Sequence, residues 1–379
     1  MATVSIIYKS NLEGSTRIDA EYYQPYYLKL DAAIKKYSNM PLKKLGITLD
    51  CSLFYPSIAP FYQRTGIPFI RIDDIQNGII VLNESSVFLP EEVLLQNPKT
   101  ILRCNSGDIV IAKGGNTIGK VGLLNDCFSE YATCRDLIIV KTGSAHINRY
   151  YLLAFLLSTV GQSLMIRTAS QTGQPHLTIV AIRELRIPIV DIKLQNQFED
   201  IILKSQRYFL SAMTSYNQAE QLLLSELGLR DWKSRHTLTY VRSFSQVAKA
   251  SRMDAEHFHP KYKELRDIIR NYSGGYLRLI DIAVNSNETI EPRTNPEHNF
   301  KYIELADIDQ NIGVIENAKT IKGKNAPSRA RMLLRNGDVI ASSVEGSLDK
   351  VALVSEEYDG AIGLFYVREQ FQAVIYLRL

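Results

Sequence analysis

The sequence lacks long apolar runs and offers little from which to build a disulfide framework. Its 379 residues include only four cysteines, Cys51, Cys104, Cys127 and Cys134, and none follows the C-x-x-C spacing. That pattern is typical of reduced thiols in a cytoplasm and argues against a zinc site. No stretch approaches the roughly 18 apolar residues of a membrane span, and the N-terminus lacks the apolar core of a signal peptide. We therefore expect a cytoplasmic protein.

An excess of charge of either sign is also missing. The chain has 44 Lys and Arg against 40 Asp and Glu, which leaves a net charge of +4. Any surface for nucleic acid must therefore be local, because such a surface needs clustered cations. The 45% apolar and 22% charged residues are typical of a globular protein, and the length allows two or three domains.

Signatures of catalysis are incomplete. The segment from Gly114 to Lys120 has the spacing of a phosphate-binding loop, but Val121 stands where a Ser or Thr would hold Mg²⁺. The N-P-P-Y segment of an adenine methyltransferase is missing, since Lys and Glu follow the two Asn-Pro pairs. The acidic residues at 73–74 and 307–309 precede no Glu-x-Lys element of a nuclease. We predict no catalytic residue, no metal and no cofactor.

The chain repeats itself. Residues 17–27 recur at 252–262 with six of eleven positions identical, as R-x-D-A-E-x3-P-x-Y. Further matches occur in the same order, with an offset that drifts from 235 to 230 residues: 70–75 with 303–308, 107–110 with 337–340, and 120–123 with 350–353. Collinear matches with a slowly drifting offset indicate an internal duplication.

The sequence of each copy predicts the same mixed α/β (α+β) domain with a strongly bent sheet. A short helix begins near Asp19 or Asp254, and short β-rich runs separated by Gly, Asn and Asp follow. These runs are 68–82, 107–113, 119–125 and 136–141, then 300–308, 337–342, 350–355 and 363–368. The first copy continues with a helical segment at 149–166, a polar loop at 170–176 and a strand at 183–190.

A long helix is predicted after the first copy. Residues 192–227 contain no Pro or Gly, and a helix of that length measures roughly 54 Å. Such a helix needs a partner helix to bury its apolar stripe, unless it packs on its own domain. The predicted seam is a heptad ladder interrupted by Gln206 and Glu220: Ile202, Phe209, Met213, Tyr216, Leu223 and Leu227.

Polar loops of the first copy supply candidate contacts to DNA. The hairpin loop around 114–120 and the loop 170–176 offer amide, imidazole and cationic groups that suit phosphates and base edges. A plain polar connection is the alternative for the second loop. The candidates are Arg71, Lys113, Asn116, Thr117, Lys120, Arg135, Arg167, Gln171, Thr172, Gly173, Gln174 and His176.

The second copy has a basic stretch. Residues 317–337 contain six Lys and Arg and no acid, which favours contact with a phosphate backbone over the alternative of a solvated face. The candidates in this copy are Arg293, Lys322, Lys324, Arg329, Arg331, Ser343, Ser347 and Lys350.

These motifs together resemble the specificity subunit of type I restriction–modification enzymes. The resemblance rests on the duplicated R-x-D-A-E opening, GDIVIAKGGNTIGKVGLL, the TGQPH loop and LRIPIV before the long helix, and it covers nearly the whole chain. It implies two target recognition domains, 1–190 and 251–379, joined by a spacer helix and linker at 191–250. It also implies that each domain reads one half of a bipartite site in double-stranded DNA. Modification and restriction subunits, as partners, would supply methylation and cleavage.

The second copy departs from that family pattern. With the final offset, Leu379 matches Tyr151, so counterparts of the loop, the strand and the long helix are missing. We expect a truncated specificity subunit or one completed by another polypeptide, which self-associates or binds the modification subunit through residues 192–227. The alternatives are the recognition portion of a fused or split restriction–methylation enzyme, and a non-functional or decoy subunit.

Overall fold

A computed structural model describes residues 4–10, 12, 17–54, 57–83, 85–169, 175–234, 237–278, 281, 284–285, 288–316, 318–342, 344, 346–364 and 377–378. The chain divides into two compact units, unit 1 (Met1–Arg207) and unit 2 (Tyr208–Leu379). The predicted domain limits at 190, 250 and 251 stay a prediction.

The described helices include one that is far longer than the others. In chain order they are α1 (Pro25–Lys35), α2 (Glu91–Gln96), α3 (Arg149–Leu157), α4 (Thr159–Thr168), α5 (Ile179–Arg183), α6 (Ile192–Glu226), α7 (Phe244–Ala250) and α8 (Pro260–Arg270). Pro25 and Pro260 each begin a helix, where a missing N–H costs nothing. Ser158 ends α3 and caps α4 by accepting from the Gly161 N–H, which is why the predicted segment 149–166 is two helices.

Unit 1 contains two larger sheets and a two-stranded pair of β1 (Asn39–Pro41) with β12 (Arg186–Pro188). The six-stranded sheet has the order β2-β11-β8-β9-β5-β4 and the four-stranded sheet the order β6-β3-β10-β7. Their strands are β2 (Thr48–Asp50), β3 (Ile67–Ile70), β4 (Ile75–Gln76), β5 (Ile79–Ile80), β6 (Val87–Leu89), β7 (Arg103–Asn105), β8 (Ile109–Ala112), β9 (Val121–Leu123), β10 (Glu130–Thr133) and β11 (Leu137–Lys141).

The central sheet of unit 1 is buried on both faces. Along β8, Ile109 and Ile111 join a core shared with α3 and α4, whereas Val110 and Ala112 join a core shared with the four-stranded sheet. Successive side chains of a strand point to opposite faces, so an uninterrupted apolar run is needed where both faces are covered. Unit 1 therefore consists of a helical layer, the six-stranded sheet and the four-stranded sheet.

Unit 2 repeats the two sheets of unit 1. The order β17-β14-β21-β18 has the same antiparallel, parallel and antiparallel pairings as β6-β3-β10-β7, and β13-β22-β19-β20 corresponds to β2-β11-β8-β9. The strands are β13 (Val284–Asn285), β14 (Asn299–Ile303), β15 (Ile308–Asp309), β16 (Val314–Ile315), β17 (Lys319–Lys322), β18 (Ala330–Leu333), β19 (Asp338–Ala341), β20 (Val351–Leu353), β21 (Ile362–Leu364) and β22 (Leu377–Arg378).

Side-chain contacts repeat as well. The Arg71 N–H donates to Asp74 in unit 1, and the Glu304 N–H donates to Asp307 in unit 2, both at 2.8 Å. Asp108 likewise accepts from the Asn105 N–H, just as Asp338 accepts from that of Arg335. The predicted fold class of two duplicated mixed α/β domains is thereby confirmed.

The long helix α6 is continuous over 35 residues, as the sequence predicts. Gln195 is its one buried side chain among those described, and its amide oxygen accepts from the Asn148 N–H. Phe198 and Ile202 pack against the helical core of unit 1. After this first part, the described side chains of α6 are exposed or half-buried.

Candidate nucleic-acid interface

The described end of the second predicted loop of unit 1, at His176, lies beside the first loop. The loop after β8 forms a 3₁₀ turn at Gly115–Thr117 and returns as β9. The Lys113 N–H donates to the Asp136 carbonyl, and the Leu177 N–H donates to the Lys113 carbonyl at 2.7 Å. A Cβ added to Gly114 would lie 2.7 Å from the His176 imidazole, so a glycine is needed for this close approach.

The loop is not a phosphate-binding loop. It leads into strand β9 rather than a helix, and the Lys120 amine lies 3.5 Å from the Ile72 carbonyl, to which it donates. Burial lowers the pKa of Lys120, opposed by the nearby Asp73 and Asp74. Since Lys120 is directed to the protein's own backbone, the interpretation against nucleotide binding agrees with the structure.

A groove of about 610 Å³ opens next to this loop. Three predicted residues, Arg71, Thr117 and Arg135, lie in its wall. The full lining is Phe54, Ser57, Ile58, Ala59, Tyr62, Phe69, Arg71, Ile72, Asp73, Thr117, Cys134, Arg135 and Asp136. The fold thus gathers candidates that lie far apart in the sequence.

The two arginines of the groove differ in their partners. Arg71 donates to the Ser85 carbonyl at 2.6 Å and lies 4.0 Å from the Asp74 carboxylate, so its guanidinium supports the fold. Arg135 is exposed, and its guanidinium lies over the Phe54 ring, 5.2 Å from the centroid. Within the described part of the chain, no acceptor for the Arg135 side chain is found. Arg135 is therefore available to a ligand.

Two carboxylates border the same groove. Asp73 and Asp136 are both exposed. Burial raises the pKa of the Cys134 thiol to about 11, against the lowering effect of a backbone hydrogen bond from Asp136. Because Cys134 stays protonated near neutral pH, it is no nucleophile. The groove thus combines an available cation, two carboxylates and aromatic rings, which suits recognition of a polar, planar ligand.

The structure argues against a DNA contact for Arg167. Its side chain is 5% exposed, pairs with Asp31 at 2.5 Å and donates to the Tyr22 carbonyl at 2.6 Å. Its guanidinium also lies over the Tyr22 ring, 4.0 Å from the centroid. Arg167 therefore holds α4 against the repeated R-x-D-A-E motif, where Arg17 donates to the carbonyls of residues 168 and 169.

Most cations in the basic stretch of unit 2 pair with acids from other segments. Lys322 and Lys324 both pair with Glu297 at 2.7 Å. Arg331 pairs with Glu291 at 2.8 Å. These partners come from residues before the stretch, so composition within 317–337 could not show them. Surface pairs of this kind contribute ~0–1 kcal/mol, and a phosphate backbone could displace them.

Other candidates of unit 2 have internal contacts. Arg293 donates to the Ala326 carbonyl at 3.4 Å, and Lys350 donates to the Ile308 carbonyl. Ser347 closes a turn through the Val344 carbonyl at 3.1 Å. Arg329 is exposed, with no acceptor among the residues that the structure describes. Ser343, Gln171, Thr172, Gly173 and Gln174 lie outside the described residues.

The residues of the predicted helix seam differ in exposure. Ile202 is half-buried and packs against the core of unit 1. Phe209, Met213 and Leu227 are half-buried, while Tyr216 and Leu223 are exposed. A second apolar row was missed. It lies one position earlier in the heptad, and its residues are 42–66% exposed: Leu194, Ile201, Tyr208 and Leu222.

Two residues of the groove were also missed. Phe54 is 76% exposed, and Asp136 directly follows Arg135. Neither has a local sequence signal, because their proximity depends on the pairing of β2 with β11 across more than eighty residues. Among the described residues, no cluster of three or more metal-ligating side chains occurs, and no helix there is long and apolar enough to cross a membrane.

Comparison with known proteins finds one family in the first half of the chain. Residues 52–216 match the family model described as "Type I restriction modification DNA specificity domain". The matched part is similar to that domain and covers less than half of the chain. It contains the whole groove, the hairpin loop and most of α6.

Solved structures similar to the chain include two subunits of type I systems. The HsdS subunit from Thermoanaerobacter tengcongensis is 35% identical over 26% of this chain and 24% of that chain, with a TM-score of 0.23. The S subunit of a type I restriction-modification system from M. genitalium is 13% identical over 90% of this chain and 72% of that chain, with a TM-score of 0.37. The match thus spans about a quarter of the first of these relatives. No curated protein matches the chain.

Proposed function

We propose that the chain is a DNA-recognition subunit of a type I restriction–modification system, which directs methyltransferase and endonuclease partners to a bipartite site. The observation that carries this proposal is the specificity domain at 52–216, whose two sheets recur in unit 2. Two versions of one scaffold with different loop residues suit the reading of two unlike half-sites. The protein itself would catalyse nothing and would act in the cytoplasm.

Recognition would occur by direct readout in the grooves of DNA. In unit 1 the available side chains are those of Arg135, Lys113 and Asn116, next to His176. Cations on phosphates fix the register, and polar groups on base edges supply specificity. In unit 2 the residues around Arg329 and Lys322 would contact the backbone, with Glu297 released from its ion pairs.

The long helix would set the distance between the readers. A helix of 35 residues measures about 52 Å, which is enough to separate half-sites that lie ~34–36 Å apart along the duplex. Its exposed rows of apolar side chains suit a partner helix of a modification subunit or of a second copy. Arg167, by contrast, would take no part in DNA binding.

The test combines the purified full chain with a type I modification subunit. The chain alone should not methylate DNA, cut DNA or hydrolyse ATP. The mixture should form a complex and methylate adenine in a selected duplex. The double variant Leu222→Glu and Tyr208→Glu, on the exposed face of α6, should abolish the complex. Leu353→Glu, on exposed strand β20, serves as the control. A chain that stays monomeric by light scattering and captures no modification subunit would count against the proposal.

A further inference from the structure

We infer that the groove of unit 1 reads one G·C base pair, with Arg135 on the guanine and a groove carboxylate on the cytosine. This inference rests on the proposed function and makes it more specific. It assigns base recognition to a side chain that no local motif distinguishes. The juxtaposition of Phe54, Arg135 and Asp136 in one groove carries the argument.

Arg135 is prepared for a planar contact. Its guanidinium lies over the Phe54 ring, which restricts the rotation of an otherwise flexible side chain. A guanidinium is a rigid fork of donors, and it matches the O6 and N7 acceptors of guanine in the major groove. Because Arg71 is occupied by Ser85 and Asp74, Arg135 is the groove arginine left for this task.

The carboxylates argue for a base edge over a phosphate. Asp73 and Asp136 are exposed in the same groove as Arg135, and a phosphate placed there would meet two negative charges. A cytosine presents its N4 amino group in the major groove, where Asp is a suitable acceptor. One cation beside one carboxylate therefore complements both members of a G·C pair.

The described residues of the second domain differ at the equivalent positions. Glu304 occupies the place of Arg71 and pairs with Lys319 at 3.2 Å. Comparison of the β14–β21 pairing with the β3–β10 pairing makes Gly363 the counterpart of Thr133, so Phe365 is the counterpart of Arg135 in the sequence. The inferred guanine thus belongs to one half-site only.

The experiment selects duplexes from a randomised pool with the full chain, in the presence of the type I modification subunit. The wild-type selection should contain one invariant guanine whose replacement weakens binding about 5- to 150-fold. Arg135→Lys keeps the charge but loses the fork, so the preference at that single position should disappear. Phe54→Leu should weaken the same preference, and Arg103→Lys, a surface arginine outside the groove, should leave it unchanged. Thermal melting verifies that each variant folds.

The outcomes separate the two claims. Loss of selectivity at one guanine in Arg135→Lys supports the inference. Full selectivity in that variant overturns it. A phosphate contact would show itself differently. Arg135→Ala would then lose affinity equally for all duplexes, its salt dependence would fall by about one ion, and Arg135→Lys would restore the affinity. That result would also overturn the inference. If the wild-type chain selects no sequence at all, the proposed function fails, and the inference fails with it.

Discussion

Strand β9 of unit 1 and strand β20 of unit 2 occupy the same place in the repeated sheet, but their side chains differ in solvent exposure. Val121 and Leu123 are 2% and 4% exposed, whereas Val351 and Leu353 are 40% and 55% exposed. In unit 1 these side chains face the core that α3 and α4 complete, and the described part of unit 2 contains no counterpart of those helices. The core between the two sheets is present in both units, so the sheets of the repeat keep their topology without a helical layer.

The largest expected change in stability comes from one matched pair of leucines, which tests this comparison. Leu123→Ala should destabilise unit 1 by ~2–5 kcal/mol, because it opens a cavity in a closed core. Leu353→Ala should destabilise unit 2 by less than about 1 kcal/mol, because the side chain is already in solvent. Hydrogen exchange at the amides of β8 and β19 measures each unit separately. Equal losses of protection would mean that β20 is covered in solution.

A second pair compares the motif that opens each copy. Arg167→Ala should cost unit 1 about 2–3 kcal/mol, since it leaves Asp31 and the Tyr22 carbonyl without their donor. In unit 2 the position of Asp31 is taken by the exposed Arg266, and Arg266→Ala should change stability within about 0.5 kcal/mol. Urea denaturation of the full chain followed by circular dichroism measures both. A neutral Arg167→Ala would remove the structural role assigned here.

The basic residues of the two units should differ in salt dependence. Lys113→Ala should reduce the slope of DNA affinity against salt concentration by about 0.9 per lost phosphate contact. Lys322→Ala should reduce it by less, because Glu297 already neutralises this amine in the free protein. Filter binding at several salt concentrations gives both slopes. A larger change for Lys322→Ala would mean that unit 2 supplies more of the phosphate contacts.

The smallest expected effect concerns pH. The hydrogen bond from Arg17 holds the pKa of Asp19 below its usual value, despite partial burial. The folded pKa is lowered, so the stabilisation is complete above the unfolded pKa of about 3.9 and disappears as the pH falls through the folded value. Arg17→Ala should therefore flatten the loss of stability of unit 1 below about pH 4. Melting temperatures between pH 3 and 6 test this, and a pH profile identical to that of the wild type would contradict it.

The sequence predicts those parts of the fold whose signal is long or repeated. The helix predicted at 192–227 is observed at Ile192–Glu226, because a long helical period without Pro or Gly needs no distant partner to be recognised. Strands β6, β10 and β18 were missed. Each has only three or four residues, and each exists through pairing with distant strands.

In the candidate site, the sequence predicts the residue types but not the partners of their side chains. Arg71, Thr117 and Arg135 were predicted on residue type and are brought to one groove by the fold. Arg167 was chosen on charge alone, and its burial against Tyr22 depends on the packing of α4. Likewise, Glu297, which lies before β14, neutralises Lys322 at the end of β17. Charge is visible in a sequence, but the partner that neutralises it is not.

The most direct measurement is the methylome of the host strain with and without this gene. Deletion should remove adenine methylation from one bipartite motif, and the complementing gene should restore it. Restoration with Arg135→Lys should relax one guanine in one half of that motif. A methylome unchanged by the deletion would contradict the claim that this chain chooses the bases for another subunit's catalyst.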